Sequence, residues 1–189
     1  ELPASKLTMG VDFHAFAPRA RAEARARLSL PRDARIVLYC GRSFRLKGLD
    51  ALLDAMDVVR SRLPGAFLAT AGGLPQDELS AQVRARADRD FARVPYEAMP
   101  DLIAASDLVA PNVADPGLLG IGMATVEALA MDVPVLSSAL GEFPGTDEER
   151  RSLGVHYRPG RDDLAGAIVE GLSLPAGASP REKIGRAHV

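Results

Sequence analysis

Residues 36–73 read IVLYCGRSFRLKGLDALLDAMDVVRSRLPGAFLATAGG, and this stretch decides the fold. Ile36 to Cys40 is a short apolar run of strand formers halted at once by Gly41, the pattern of a buried strand ending in a turn. Leu49, Leu52, Leu53, Met56, Val59 and Leu63 then recur at helical spacing until Pro64-Gly65 stops them. Ala66 to Ala71 is a second apolar strand, ended by Gly72-Gly73. Such continuously apolar strands, alternating with a helix, belong to a parallel sheet covered on both faces.

The alternation continues outward. Downstream, the spacing predicts a polar helix over about 76–87, a brief strand over 91–94, a helix over 99–105 and a strand over 108–110. A helix over 122–131, a strand over 133–137, a last strand over 154–157 and a helix over 162–172 complete it. Upstream, the first eighteen residues, including GVDFHAFAP from Gly10 to Pro18, contain no comparable unit and read as a linker. Ala20 to Arg27 (ARAEARAR) reads as a solvated helix in preference to a nucleic-acid patch, and no internal repeat is present. In open parallel sheets ligands bind at the carboxyl ends of strands, so chemistry is expected in the loops that follow them.

The whole chain has 189 residues and 20.0 kDa, enough for one ample domain or two small ones. Its 47% apolar and 25% charged residues exclude a disordered tail, a collagenous rod and a disulfide-stapled miniprotein. A net charge of -2 and a pI near 6.0 offer no general attraction to nucleic acid or an anionic membrane. The single cysteine, Cys40, has no internal disulfide partner, which fits a reducing cytoplasm. No apolar run approaches the roughly 18 residues that span a bilayer. Basic residues are 20 arginines against 3 lysines, so a lysine inside a loop is informative. The chain begins at Glu1 instead of methionine, and residues 184–189 (IGRAHV) match a translated sequencing adapter, with a genuine exposed tail as the alternative. A gene fragment cut at both ends is the expectation.

Three loops that follow strands carry candidate chemistry. In GRSFRLKG, residues 41–48, a glycine turn brings Arg42 and Lys47 near a helix N-terminus, an arrangement suited to a diphosphate or to two solvated charges. In residues 115–135, DPGLLGIGMATVEALAMDVPV, Gly117, Gly120 and Gly122 let a ligand approach the amides that open a helix. Glu127 lies just inside that helix, where a carboxylate accepts two hydrogen bonds from a vicinal diol such as ribose or simply favours the helix dipole. The third loop, Gly141 to Pro144 (GEFP), is a turn of weak signal. His14, His156 and His188 form no triad or metal set, and Asp162-Asp163 reads as a helix cap. GIGMAT approaches a dinucleotide fingerprint but has Thr125 at the third glycine and comes late in the chain, against a nicotinamide cofactor.

Taken in order, these segments resemble the C-terminal, donor-binding half of a retaining glycosyltransferase of the GT-B fold, the "glycosyl transferases group 1" family. GVDFHAFAP resembles the interdomain linker, YCGRSFRLKGLDALLDAM the Gly-Arg and Lys-Gly loop, VPYEAMPDLIAASDLVAPN the segment around the nucleobase, and GMATVEALAMDVPVLSS the Glu-Ala-Met-Ala stretch. The resemblance spans Leu7 to about Leu172 and implies a Rossmann-like α/β parallel sheet with helices on both faces. It implies an interdomain linker over 1–18, a nucleotide-sugar donor-binding domain over 19–183 and adapter read-through over 184–189. Arg42 and Lys47 are implied catalytic residues on the donor diphosphate. Gly41, Gly120, Gly122, Met123, Glu127, Val94 and Pro95 complete the implied donor site, with Glu127 at the ribose.

The departures concern the sugar. Leu119 stands where the family usually has a glutamate directed at the donor sugar; Asp115 substitutes for it if the loop has gained four residues. Met131-Asp132-Val133 replaces a run of small residues and glycine, and Gly145 stands where a glutamate often follows. The implied reaction moves a sugar from a nucleotide diphosphate donor, most often a uridine one, with retention, no metal and no further cofactor. The acceptor, and any peripheral membrane contact, belong to an absent N-terminal half. A cytoplasmic protein that contacts no nucleic acid is expected, and the isolated chain is expected to bind nucleotide weakly without turnover. A non-catalytic nucleotide-sugar sensor or subunit, and a nucleotide-sugar epimerase of related fold, are the alternatives.

Overall fold

The structure is a computed structural model that describes residues 10–114, 121–143 and 145–174. Its helices are α1 (Arg21–Arg27), α2 (Leu49–Arg62), α3 (Ser80–Arg86), α4 (Met99–Ala105), α5 (Met123–Ala130), α6 (Asp147–Leu153) and α7 (Leu164–Leu172). Its strands are β1 (Arg35–Cys40), β2 (Ala66–Ala71), β3 (Arg89–Asp90), β4 (Leu108–Asn112), β5 (Val135–Ser137) and β6 (Gly154–His156). The strands form one sheet in the order β3-β2-β1-β4-β5-β6, with every neighbouring pair parallel.

Alternation along β1 explains the two layers. Ile36, Leu38 and Cys40 face one cluster with residues of α4 and α5, while Val37 and Tyr39 face another with residues of α2 and α7. Because both faces are buried, β1 has no polar residue from Ile36 to its end except the Tyr39 hydroxyl, which donates to the Arg42 carbonyl at 2.6 Å. The chain runs outward through β2 and β3, then returns across β1 to build β4, β5 and β6. Loops leaving β1 and β4 therefore diverge, and a crevice opens between them.

Several sequence expectations shift. The 76–87 helix is confined to Ser80–Arg86 because Asp77 turns inward, its carboxylate accepting from the Ser43 and Leu74 amides at 3.1 and 3.0 Å. The strand expected at 91–94 is Arg89–Asp90, because Ala92 adopts a left-handed φ of 47° and turns the chain away. The helix α1 is not simply solvated. Arg25 is buried and donates to Asp107 at 2.7 Å and to the Ala105 carbonyl at 2.9 Å. Arg21 adds a second 2.7 Å bond to the other Asp107 oxygen, and the Ile36 amide a third contact. Likewise, the linker segment is packed where it is described, with Phe16 fully buried in the core.

Helix α6 went unpredicted, although Thr146-Asp147-Glu148-Glu149 carries its signal. Thr146 Oγ1 accepts from the Glu149 amide and Glu149 accepts from the Thr146 amide, a reciprocal capping box. Asp163 caps α7 as expected, accepting from the Ala165 amide, and Asp162 pairs with Arg158. The adapter-like residues 184–189, the Pro144 end of the third loop and residues 115–120 lie outside the described residues. Among the described residues, no helix is long and apolar enough to cross a membrane.

Candidate functional site

A crevice of about 430 Å³ lies at the carboxyl edge of the sheet, where the topology reverses. The ends of β1, β2 and β4 supply Cys40, Gly41, Gly72 and Asn112; the opening turn of α5 supplies Gly122, Met123, Thr125 and Glu127. Lys47 and Met99 complete its sides.

The loop after β1 seats Lys47. Residues Arg45–Lys47 form a short 3-10 turn, and the Lys47 carbonyl accepts from the Val113 amide at 3.1 Å, fastening this loop to the end of β4. The ammonium lies over the backbone of Gly41, where a Cβ would come within 2.7 Å of Lys47 Nζ. A side chain at that position would push the flexible Lys47 ammonium aside, and the φ of 143° itself favours glycine. Burial pushes the Lys47 pKa down, and neighbouring Arg42 adds to the shift. Among the described residues no carboxylate pairs with this partly desolvated ammonium, which is prepared to gain from an incoming anion.

On the other side, Glu127 projects from α5 and is only 5% exposed. Burial raises its pKa, and the Tyr96 hydroxyl opposes that rise. The Cys40 thiol is also driven up by burial, and the Glu127 charge adds to this. Helix α5 carries no side-chain cap at Gly122, so its first amides face the crevice end unclaimed by a capping side chain.

The structure thus brings Gly41, Lys47, Gly122, Met123 and Glu127 together. Arg42 lies apart from the lining: its side chain is 60% exposed, pairs with Asp77 at 3.6 Å and stacks 4.5 Å above the Phe44 ring. Val94 is half-buried against the core and Pro95 exposed, neither among the lining residues. Asp115, Leu119 and Gly120 lie outside the described residues. Sequence reasoning did not single out Asn112. Its Oδ1 accepts from the Ala114 amide at 3.0 Å, while Nδ2 is buried with no partner among the described residues. The Pro111-Asn112 pair closing a buried strand was the available signal. Among the described residues, no three His, Cys, Asp or Glu side chains converge as a metal site.

Comparison with known proteins agrees with this geometry. The model of the family described as "Glycosyl transferases group 1" matches residues 34–173. D-inositol 3-phosphate glycosyltransferase 1 of Catenulispora acidiphila is 35% identical over 178 residues, covering 86% of this chain and 38% of the relative. D-inositol 3-phosphate glycosyltransferase of Mycobacterium tuberculosis (strain H37Ra) is 36% identical over 173 residues, covering 86% and 32%. The chain therefore spans about a third of the length of the curated relatives it matches. Among solved structures, the C-terminal domain of the group 1 family protein LpcC from Francisella tularensis superposes with a TM-score of 0.68 at 21% identity, covering 95% of this chain and 96% of that one. Anabaena Alr3699/HepE, solved with UDP-glucose, gives 0.69 at 20% identity, covering 95% and 51%. These two likenesses establish a shared fold.

Proposed function

The chain belongs to the glycosyl transferases group 1 family, and from that premise we propose that its crevice binds a nucleotide diphosphate sugar, UDP-linked, as the donor half of a retaining glycosyltransferase. The observation that carries this reading is the placement of Lys47 and Glu127 on one crevice at the topological switch point. The ammonium and the open end of α5 suit the diphosphate; the carboxylate suits the ribose hydroxyls. UDP-glucose in the Anabaena structure supports the donor class. The acceptor would be held by a part of the protein beyond this domain, and the unpaired thiol Cys40 fits a cytoplasmic setting.

In the proposed reaction the glycosidic carbon–oxygen bond breaks and its electron pair leaves with the diphosphate. Lys47 stabilises the charge that develops there, and Arg42 supports it from the loop's outer side. The acceptor hydroxyl attacks the face the diphosphate leaves and passes its proton to the departing diphosphate oxygen, so the configuration is retained. Binding the donor in this crevice fixes one reactant and leaves only the acceptor to be aligned.

Calorimetry with UDP and UDP-glucose tests the reading. The chain should bind both saturably, and Lys47→Ala should weaken binding by about tenfold or more, the loss expected for one charge-assisted hydrogen bond. Arg42→Ala should cost less, because Arg42 is exposed and already paired. Binding should take up a proton at alkaline pH, since the diphosphate raises a Lys47 pKa that burial has lowered. Affinity unchanged by Lys47→Ala would overturn the diphosphate assignment.

A further inference from the structure

One buried carboxylate fastens the loop after β1 to the loop after β2. The Asp77 side chain is only 1% exposed, and its Oδ2 accepts from the Ser43 and Leu74 amides at 3.1 and 3.0 Å. The Ser43 carbonyl in turn accepts from the Leu79 amide at 3.0 Å. The other carboxylate oxygen, Oδ1, is buried and accepts no hydrogen bond among the described residues. It faces Arg42, whose Nη2 lies 3.6 Å away, too far for a hydrogen bond but close enough for an ion pair. Phe44 holds the same guanidinium from another side, its ring centroid 4.5 Å from the Arg42 Cζ. Both contacts keep Arg42 out of the crevice lining, although it directly follows Gly41, which belongs to that lining.

We infer that Asp77 is a positioning residue that, with Phe44, holds the Arg42 guanidinium in reserve beside the crevice, and that a diphosphate seated on Lys47 draws it away from Asp77. The inference rests on the donor-binding reading for its ligand, while the restraint itself requires none. Reach permits the movement. A Cβ on Gly41 would lie 2.7 Å from Lys47 Nζ and successive Cα atoms are about 3.8 Å apart, which puts Lys47 Nζ within about 8 Å of the Arg42 Cα. An extended arginine carries its guanidinium nearly that far, so an anion on Lys47 lies within the radius that Arg42 sweeps. Charge favours the exchange, since a diphosphate carries more negative charge than one carboxylate and offers the guanidinium two oxygens at once. Against this stands the carboxylate left behind, whose Oδ1 would keep neither a hydrogen bond nor its cation in a buried place. Asp77 therefore sets how much of the Arg42 charge reaches the ligand.

The test is UDP calorimetry on the 189-residue chain as a double-mutant cycle. Asp77→Asn keeps an oxygen for the Ser43 and Leu74 amides and removes the charge that holds Arg42. Affinity should rise about twofold to fivefold, the worth of a partly exposed ion pair, and the rise should vanish when both chains compared also carry Arg42→Ala. An equal rise in the Arg42→Ala background would mean a general relief of negative charge and overturn the inference, as would an affinity unchanged or lowered in folded Asp77→Asn. Phe44→Leu removes the stacking face without touching the buried carboxylate and serves where Asp77→Asn does not fold. It should raise affinity in the same direction, again only with Arg42 present; no rise overturns the inference. Nitrogen-15 spectra follow the guanidinium itself, through an Arg42 Nε–H resonance assigned by its loss in Arg42→Ala. Without ligand it should move in Asp77→Asn and in Phe44→Leu, and in the unaltered chain it should move on saturation with UDP. A resonance unmoved by saturating UDP overturns the recruitment of Arg42. Movement in both variants with no UDP bound by any chain would uphold the restraint and overturn the donor-binding reading instead.

Discussion

Glu127 bears a cost in the fold that its proposed work explains. Its carboxylate is buried, and burial holds its pKa above the usual carboxylate range in spite of Tyr96. The folded chain therefore binds its proton more tightly than the unfolded chain. That contribution to stability is complete below the unfolded pKa and is lost as pH rises through the folded one. At neutral pH the ionised group opposes folding. Glu127→Gln should accordingly raise the urea midpoint at neutral pH and weaken UDP binding by about tenfold or more, an exchange of function for stability. Denaturation at neutral and acid pH, paired with calorimetry, checks both halves; a lower urea midpoint at neutral pH would contradict the electrostatic account. Lys47 and Glu127 stood out in the sequence as candidates because a rare lysine followed a buried strand and an acid lay about a turn inside a glycine-preceded helix. Asn112 did not, since nothing in Pro111-Asn112 discloses that one amide atom is engaged by Ala114 and the other has no partner among the described residues.

Elements whose residues are buried on both sides were the readable ones. β2 falls at Ala66–Ala71, and α2 ends one residue short of the expected Leu63, because continuous apolar strands and a helical stripe leave little choice. Two of the departures share a physical cause: a polar side chain serves a distant partner instead of its own element. Asp77 caps the loop after β1 rather than extending α3, and Arg25 leaves its helix's solvent face for Asp107, 82 positions away. Local pattern carries no record of such pairings. The element that matters most to the site is the 3-10 turn ending in Gly48, which has φ 74° and would place a Cβ 2.8 Å from Val113 Cγ2. Gly48→Ala should destabilise the chain by about 1–3 kcal/mol through left-handed strain and that clash. It should also weaken UDP binding, because Val113 and Lys47 are joined at this point. Thermal melts and calorimetry on the same sample check it, and unaltered binding in a destabilised protein would sever the turn from the site.

At the scale of the molecule, one sheet order accounts for where the crevice lies. The chain leaves β1 toward β2 on one side and comes back to β4 on the other, so diverging loops and the opening turn of α5 enclose a space without any special residue. This architecture was legible from the alternation of strands and helices; the order of strands was not. What the sequence leaves silent is the contact between the leading segment and the domain, because Phe16 looks like any apolar residue in a linker until its ring is found against Tyr96. The matched part of the chain covers about a third of the curated relatives' length, so the domain is one working part of the proposed reaction. The central claim is that this crevice is the nucleotide site. Titrating UDP-glucose into the nitrogen-15-labelled chain and following its amide resonances tests that claim most directly. Saturable shifts should concentrate at Gly41, Lys47, Gly72, Asn112, Thr125 and Glu127. Shifts centred instead on the arginine-rich surface around Arg151, Arg158 and Arg161, or no saturable shifts at all, would contradict it.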